Sequence, residues 1–532
     1  MAAARPVTMR TRRARPGVDQ AHDPDAVDPR GGVSAVAVPT GAVRADNPAD
    51  NPAQTADETA DETAALAPAA SNSDPSLPDE GAQNRHEPGT NGPDANEPGA
   101  NESDANEGVV LEAPRLDWPW PLRMVNPVRS HGWGAKGGLA GVQRRPAGRR
   151  PEAELWVGAH PVASSTLLDL DGHEIPLLDA IEGDPAGVLG RTHRNRFGAR
   201  LPFLLKVMAV ERALAVQVHP ARRQAAEGFA RQEAAGVPLR GPARIFVDPH
   251  AKPELIVALT PFDALVGLRD PRHAADLLDL LDVAPLVPMR RALATAAAQV
   301  HGPARDGTLD ALICLASWPF RQRAVLAAGV CDAARAALGN PVTAHHPDTR
   351  SALEWVIRLA DLHPGDPMVL APLLLEFVHL EPGGTVFVPP GVLHTFLHGV
   401  GLEAAAASAN VVRAGLTRRP VDPQVVRAAV EVAARPIVGV GEEDVARHET
   451  ALLTPAEEFR LSRITLGGTG VGAPSSRPPG PQIILCLDGE IEVGVGPRLT
   501  HLCSGESTFL GPQARDVVLS GEGVAYRVTT GG

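Results

Sequence analysis

Gln217 and His219 stand two residues apart in "ALAVQVHP" (213–220), and Pro220 closes the stretch. Leu214, Val216 and Val218 alternate with them as in a strand, so the amide and the imidazole share one face. On a buried face each needs a partner, because an unpaired buried polar group costs roughly 1–3 kcal/mol. A metal ion is one such partner and a plain hydrogen bond is another. Three further patches offer related chemistry. Lys252 and Glu254 sit two apart at the head of "KPELIVAL", where the acid could complete a cation site or simply pair at a sheet edge. His394 follows the rigid turn Pro389-Pro390-Gly391 among apolar neighbours and reads either as a ligand or as a core histidine. His398, four residues on, shares its side only if the strand is regular. Arg413, in "ANVVRAGLTRRPVD" with Arg418 and Arg419 close behind, needs an anion: a phosphate, or an internal carboxylate such as Glu403.

The segments that must position these residues read mostly as strands. "LPFLLKVMAVERALAVQVHP" (201–220) is two short strands around a turn at Glu211–Arg212. "KPELIVALTPFDALVGLR" (252–269) is an apolar run, a turn and a helix start, and "LLLEFVHLEPGGTVFVPPGVLHTFLHG" (373–399) alternates between two Gly/Pro turns. Between about 270 and 370 the apolar spacing changes to i, i+3, i+4, with acids early and arginines late, which predicts several helices. The last hundred residues return to strand, Asp-Gly turn and strand, the grammar of small antiparallel barrels of the cupin type. The expected fold is mainly β with a helical insert: two cupin-like jelly-roll barrels plus an α-helical domain. The expected division is an acidic, low-complexity, disordered tail (1–108), a catalytic cupin-like domain in two parts (109–269 and 371–435), a helical domain between them (270–370) and a C-terminal cupin-like domain (436–532).

Composition narrows the partners. The chain has 532 residues and a net charge of −13, of which the first 108 residues, with 19 acidic and 8 basic side chains, carry most. The near-neutral remainder lacks the clustered basic surface of a nucleic-acid binder. That tail repeats "ADETADETA" and "PDANEPGANESDANEG" and cannot bury enough apolar surface to offset its entropy. Four cysteines without a C-x-x-C pair suit a reducing compartment. No run of 18 uncharged apolar residues predicts a membrane span, and the Arg-rich start lacks the apolar core of a secretory signal, so a cytoplasmic protein is expected. Lysine is scarce: Lys136, Lys206 and Lys252 stand against 47 arginines.

Together, "EAELWVGAHPVASS" (152–165), the 201–220 and 252–269 segments, "HPGDPMVLAPLLLEFVHLEPGGTVFVPPGVLHTFLHG" and "SANVVRAGLTRRPVD", in this order, resemble the type I mannose-6-phosphate isomerases over residues 120–435. The resemblance implies interconversion of mannose 6-phosphate and fructose 6-phosphate, feeding GDP-mannose synthesis, by C1–C2 proton transfer through an enediol. It implies one Zn2+ per chain on Gln217, His219, Glu254 and His394. Glu403 matches the family's candidate base, Arg413 its active-site arginine and Lys252 the lysine of its Lys-Pro-Glu motif. Trp133, in "HGWGAK", matches a tryptophan near the substrate, and Arg419 replaces a substrate-side lysine. A monomer acting on a soluble sugar phosphate is expected.

The substrate shell departs from the family pattern at several places. Ala215 stands for a serine, Phe396 for a tyrosine, Ala409 for the aspartate of Ser-Asp-Asn, and His131 for the tyrosine that opens the Trp133 motif. The lost carboxylate at 409 leaves a second reading, a non-catalytic sugar-phosphate-binding cupin with a regulatory role. An iron oxygenase fits less well, because such sites favour two histidines and one carboxylate where this chain adds Gln217.

Overall fold

The computed structural model describes residues 119–531 except 170, 242, 299–305, 477 and 479. The tail expected to be disordered lies outside the described residues. The described part is mixed, with two large antiparallel sheets and a block of helices between sequence-distant strands.

The 11-stranded sheet centres on the long strand His394–Ala406. Its second half pairs with Phe203–Val210 on one side and Glu254–Ala258 on the other; Phe203–Val210 pairs outward with Glu154–Val157. Its first half pairs instead with Phe262–Leu268 and meets Val216–Val218 at His394. The change of partners falls at Gly399, whose φ is +119° and where a Cβ would lie 2.5 Å from the Pro261 carbonyl oxygen. Only glycine fits that corner.

Both faces of this sheet are covered, which explains why "FLLKVMAV" reads as a continuous apolar run. Leu155, Leu205, Val207, Leu255, Val257, Leu402 and Ala404 pack against Leu461, Ile483, Leu485, Phe509 and Val528 of the second sheet and Phe459 beside it. Truncating one such leucine to alanine typically costs about 2–5 kcal/mol. The opposite face of the same strands carries Trp156, Lys206, Glu403, Ile256 and Glu254, placed together by register.

The helices Pro271–Leu281, Val287–Ala298, Asp306–Ala316, Phe320–Leu338 and Pro347–Leu362 bury their apolar stripes against Val216, Val218, Leu265, Leu393, Leu397 and Val412. The first begins where sequence chemistry dictates: Asp270 accepts from the Arg272 N–H, and Pro271 needs no partner for its nitrogen. Because Val216 and Val218 face the helices, Gln217 between them faces away. Buried Arg269 fastens the helical block to the sheet through Asp348 and the Pro372 carbonyl.

The fold class stands in its coarse form. Among the described residues no barrel closes; each sheet runs as an open order with branches. Sheet membership also cuts across the expected segments. Leu122–Val125, Thr166–Leu168 and Glu174–Pro176 belong to the ten-stranded sheet of the C-terminal strands, with Leu122–Val125 paired directly to Ser507–Leu510. No described helix is long and apolar enough to cross a membrane.

Candidate metal centre and active site

Three segments deliver the polar cluster. Val216–Val218 carries Gln217 directly opposite both His394 and Arg413. His219 follows, and its carbonyl accepts from the Gly391 N–H at 2.7 Å, tying the Pro-Pro-Gly turn to the end of that strand. His394 opens the long strand, and Glu254, just after Pro253, opens the strand beside it.

Their side chains converge. His219 Nε2 lies 3.1 Å from Glu254 Oε1, and His394 Nε2 lies 3.3 Å from Glu254 Oε2. Gln217 reaches the same point, its amide nitrogen 3.3 Å from His394 Nε2. His219, Glu254 and His394 are buried and Gln217 is half-buried. Lys252 Nζ stands 3.3 Å from Glu254 Oε1.

The hydrogen bonds behind the imidazoles decide what this pocket can hold. His219 Nδ1 faces the Asn410 carbonyl at 2.7 Å, and His394 Nδ1 faces the Val392 carbonyl at 3.0 Å. A carbonyl only accepts, so each Nδ1 carries the proton and each Nε2 of the neutral ring presents a lone pair. Two lone pairs then point at a carboxylate, and all three repel unless a cation lies between them. His219 Nε2 and Glu254 Oε2 are accordingly buried without a hydrogen-bond partner. Leaving each so costs about 1–3 kcal/mol, which a divalent cation would remove. Turning the Gln217 amide over presents its oxygen as a fourth donor. The donor set of two imidazoles, a carboxylate and an amide oxygen fits zinc.

Burial pushes the His219 imidazole below its ordinary value, toward the neutral form a ligand requires. Burial would raise the carboxyl of Glu254, yet His219 and Lys252 outweigh it and hold that carboxyl well below its usual range. Glu403, directly opposite Lys206 on the neighbouring strand and on the same face as Glu254, is pushed up to about 8 by burial, against the pull of Lys206 and with the help of Glu254's charge. Its Oε1 has no hydrogen-bond partner.

The remaining expected residues are placed unevenly. Arg413 is half-buried on the Gln217 side of its strand. Trp133 packs on the apolar cluster that includes Val388 and Phe396, the latter 5.6 Å from the His394 ring. Arg419 stands exposed on the turn after Val412–Gly415, outside the buried cluster. His398 is also outside: a register shift at Asp263–Ala264 breaks the regular strand, and the ring is exposed.

Two supporting groups escaped the sequence reading. Asp248 accepts from Ser408 Oγ at 2.9 Å and from the Ala409 N–H at 2.8 Å, and its carbonyl accepts from Asn410 Nδ2 at 2.8 Å. That fixes the Asn410 carbonyl under His219. Lys206, buried in an apolar run, pairs with Glu154 at 3.3 Å; its scarcity in this chain was the only signal.

Fold and pocket define a class, an antiparallel β protein whose sheet face gathers donors for one divalent cation. Residues 122–271 match the family model described as phosphomannose isomerase type I, catalytic domain. Mannose-6-phosphate isomerase of Salmonella typhimurium is 33% identical over 424 residues, covering 76% of this chain and 98% of that protein. The enzyme of the same name from Escherichia coli is 31% identical, with 76% and 98% covered. A crystal structure of the Salmonella typhimurium enzyme bound to its substrate F6P and zinc superposes with a TM-score of 0.67 at 30% identity, covering 77% of this chain and 99% of that one. A mannose 6-phosphate isomerase bound with zinc and yttrium gives a TM-score of 0.66 over the same shares. The chain belongs to the type I mannose-6-phosphate isomerase family of enzymes.

Proposed function

We propose that the protein interconverts mannose 6-phosphate and fructose 6-phosphate, with one zinc ion held by Gln217, His219, Glu254 and His394. The observation that carries this is the convergence of two imidazole lone pairs on an ionised, buried carboxylate. Bound there, zinc supplies Lewis acidity that polarises the sugar oxygens.

The chain's own residues do the rest. Glu403 is the proton carrier: a carboxyl raised to about 8 both takes and returns a proton near neutral pH, as transfer between C2 and C1 through an enediol requires. Lys252 keeps Glu254 anionic. Arg413, beside Gln217, offers a fixed cation to an anionic substrate, and Arg419 adds charge at the exposed turn for the phosphate, so that binding energy orients the reacting carbons. Trp133 forms an apolar wall. Both chemical parts come from the 109–269 and 371–435 segments, folded as a cupin-like core; the reading takes the chain as a cytoplasmic monomer.

The test is a coupled assay on the purified, zinc-loaded chain with and without a chelator. Fructose 6-phosphate formation that chelation abolishes and zinc restores is the expected result. Sugar-phosphate binding without turnover would replace the isomerase with the non-catalytic reading.

A further inference from the structure

Half-buried His131 joins buried Glu154 and Lys206 in a second polar group on the site face, separate from the residues of the metal pocket. The segment carrying His131 is sewn to the end of the 203–210 strand: the Ala135 N–H donates to the Ala209 carbonyl, and the Trp133 carbonyl accepts from the Glu211 and Arg212 N–H groups. Gly134 lets it lie directly on Ala153, where a Cβ would fall 2.7 Å from that residue's Cα. The His131 ring is thereby stacked on Trp133, centroids 5.5 Å apart at 11°.

The same ring reaches inward. His131 Nε2 lies 3.3 Å from Glu154 Oε2, and the other oxygen, Oε1, lies 3.3 Å from Lys206 Nζ. Lys206 Nζ sits 4.5 Å from the centre of the Trp156 ring, and its cross-strand neighbour on the other side is Glu403. Exposure falls along the series, from 14% of the His131 side chain to 7% for Glu154 and 3% for Lys206.

We propose that His131 is a positioning residue of the isomerase site: it clamps Glu154, which holds Lys206 over Trp156 beside Glu403, and it braces Trp133. The inference rests on the isomerase reading above. Lysine's ammonium sits on a flexible four-carbon stem, so its place is set by its counter-charge. Lys206 stands between Glu154 and Glu403, and a carboxylate gripped through both oxygens cannot swing away. With the His131 contact gone, Glu154 loses its grip at Oε2, and Lys206 relaxes toward Glu403. His131 thus decides which of the two acids the ammonium serves.

The two roles of the ring separate by substitution. His131→Phe keeps the stack on Trp133 and removes the polar contact; His131→Gln restores a donor without the ring. Steady-state kinetics on mannose 6-phosphate across pH, with zinc content measured on the same samples, tests the proposal. In His131→Phe, kcat falls roughly tenfold with KM nearly unchanged, zinc stays bound, and the midpoint of the kcat/KM profile moves by about half a pH unit or more. His131→Gln returns that midpoint toward wild type. Should His131→Phe fail to fold, Glu154→Gln carries the same expectation with the shape preserved. An active wild type whose His131→Phe and Glu154→Gln variants keep its kcat and pH profile overturns this inference alone. A zinc-loaded wild type that turns over nothing overturns it together with the isomerase reading.

Discussion

The two sheets each bury a carboxylate, and they use it in opposite ways. In the C-terminal sheet Glu449 faces Arg527, with contacts of 2.9 and 3.0 Å, while Ser475 Oγ and the Ser476 N–H occupy the same carboxylate. Arg527 Nη2 donates in addition to Ser475 Oγ. Every Glu449 oxygen is engaged. In the other sheet Glu254 is equally buried, yet one of its oxygens and one facing imidazole nitrogen lack partners. Arg527 Nε is left without a partner, but the Glu449 carboxylate is saturated; a saturated buried carboxylate holds a structure in place, and one with an open oxygen facing an open imidazole nitrogen waits for a ligand.

The largest test of that contrast is Glu254→Ala. It removes the central carboxylate, so zinc content by elemental analysis falls to background and isomerase activity drops by about a thousandfold or more. It also leaves the buried Lys252 ammonium without its carboxylate, so urea stability of the metal-free protein falls as well. Glu449→Ala separates stability from metal binding. It strands the buried Arg527 and lowers urea stability by about 3–5 kcal/mol, while zinc content holds at the wild-type value. Equal loss of zinc in both variants would erase the distinction.

A third test sharpens the comparison through pH. The Glu403 carboxyl is raised from 4.5 to about 8, so between those values the folded protein binds the proton more tightly than the unfolded chain. Stability contributed by that proton is full below about 4.5 and declines as pH rises through about 8. Glu403→Gln removes this decline. In chelated protein the variant gains stability relative to wild type as pH goes from 5 to 8, and unfolding curves at the two pH values measure the gain. Parallel curves would show that Glu403 ionises normally.

Part of the buried polar cluster was legible because its residue types are unusual in strands: an amide and an imidazole alternating with Val216 and Val218 have one shared face and few bland uses. The pairing of Lys252 with Glu254 was legible for the same reason. What joined them was not. His394 meets Gln217 across 177 residues, a contact no local pattern encodes. His398 looked equivalent to His394 by spacing and lost that equivalence to one register shift. Lys206 hid in a run whose two faces are both buried, where alternation disappears, and Asp248 hid because its work is done on backbone groups of a distant loop. The strand-turn-strand grammar of the C-terminal segment was readable, but the enrolment of residues 122–125 in that sheet depends on partners almost at the other end of the chain.

That enrolment has a consequence for how the protein is made. The Leu122 carbonyl receives a hydrogen bond from Thr508, 386 residues downstream. At about 5–20 residues per second, a ribosome needs roughly 20–80 s to supply that partner after the early strand emerges. Until then one apolar edge of the nascent chain must wait uncovered, so a transcript truncated even shortly before residue 507 should leave its product in the hands of chaperones.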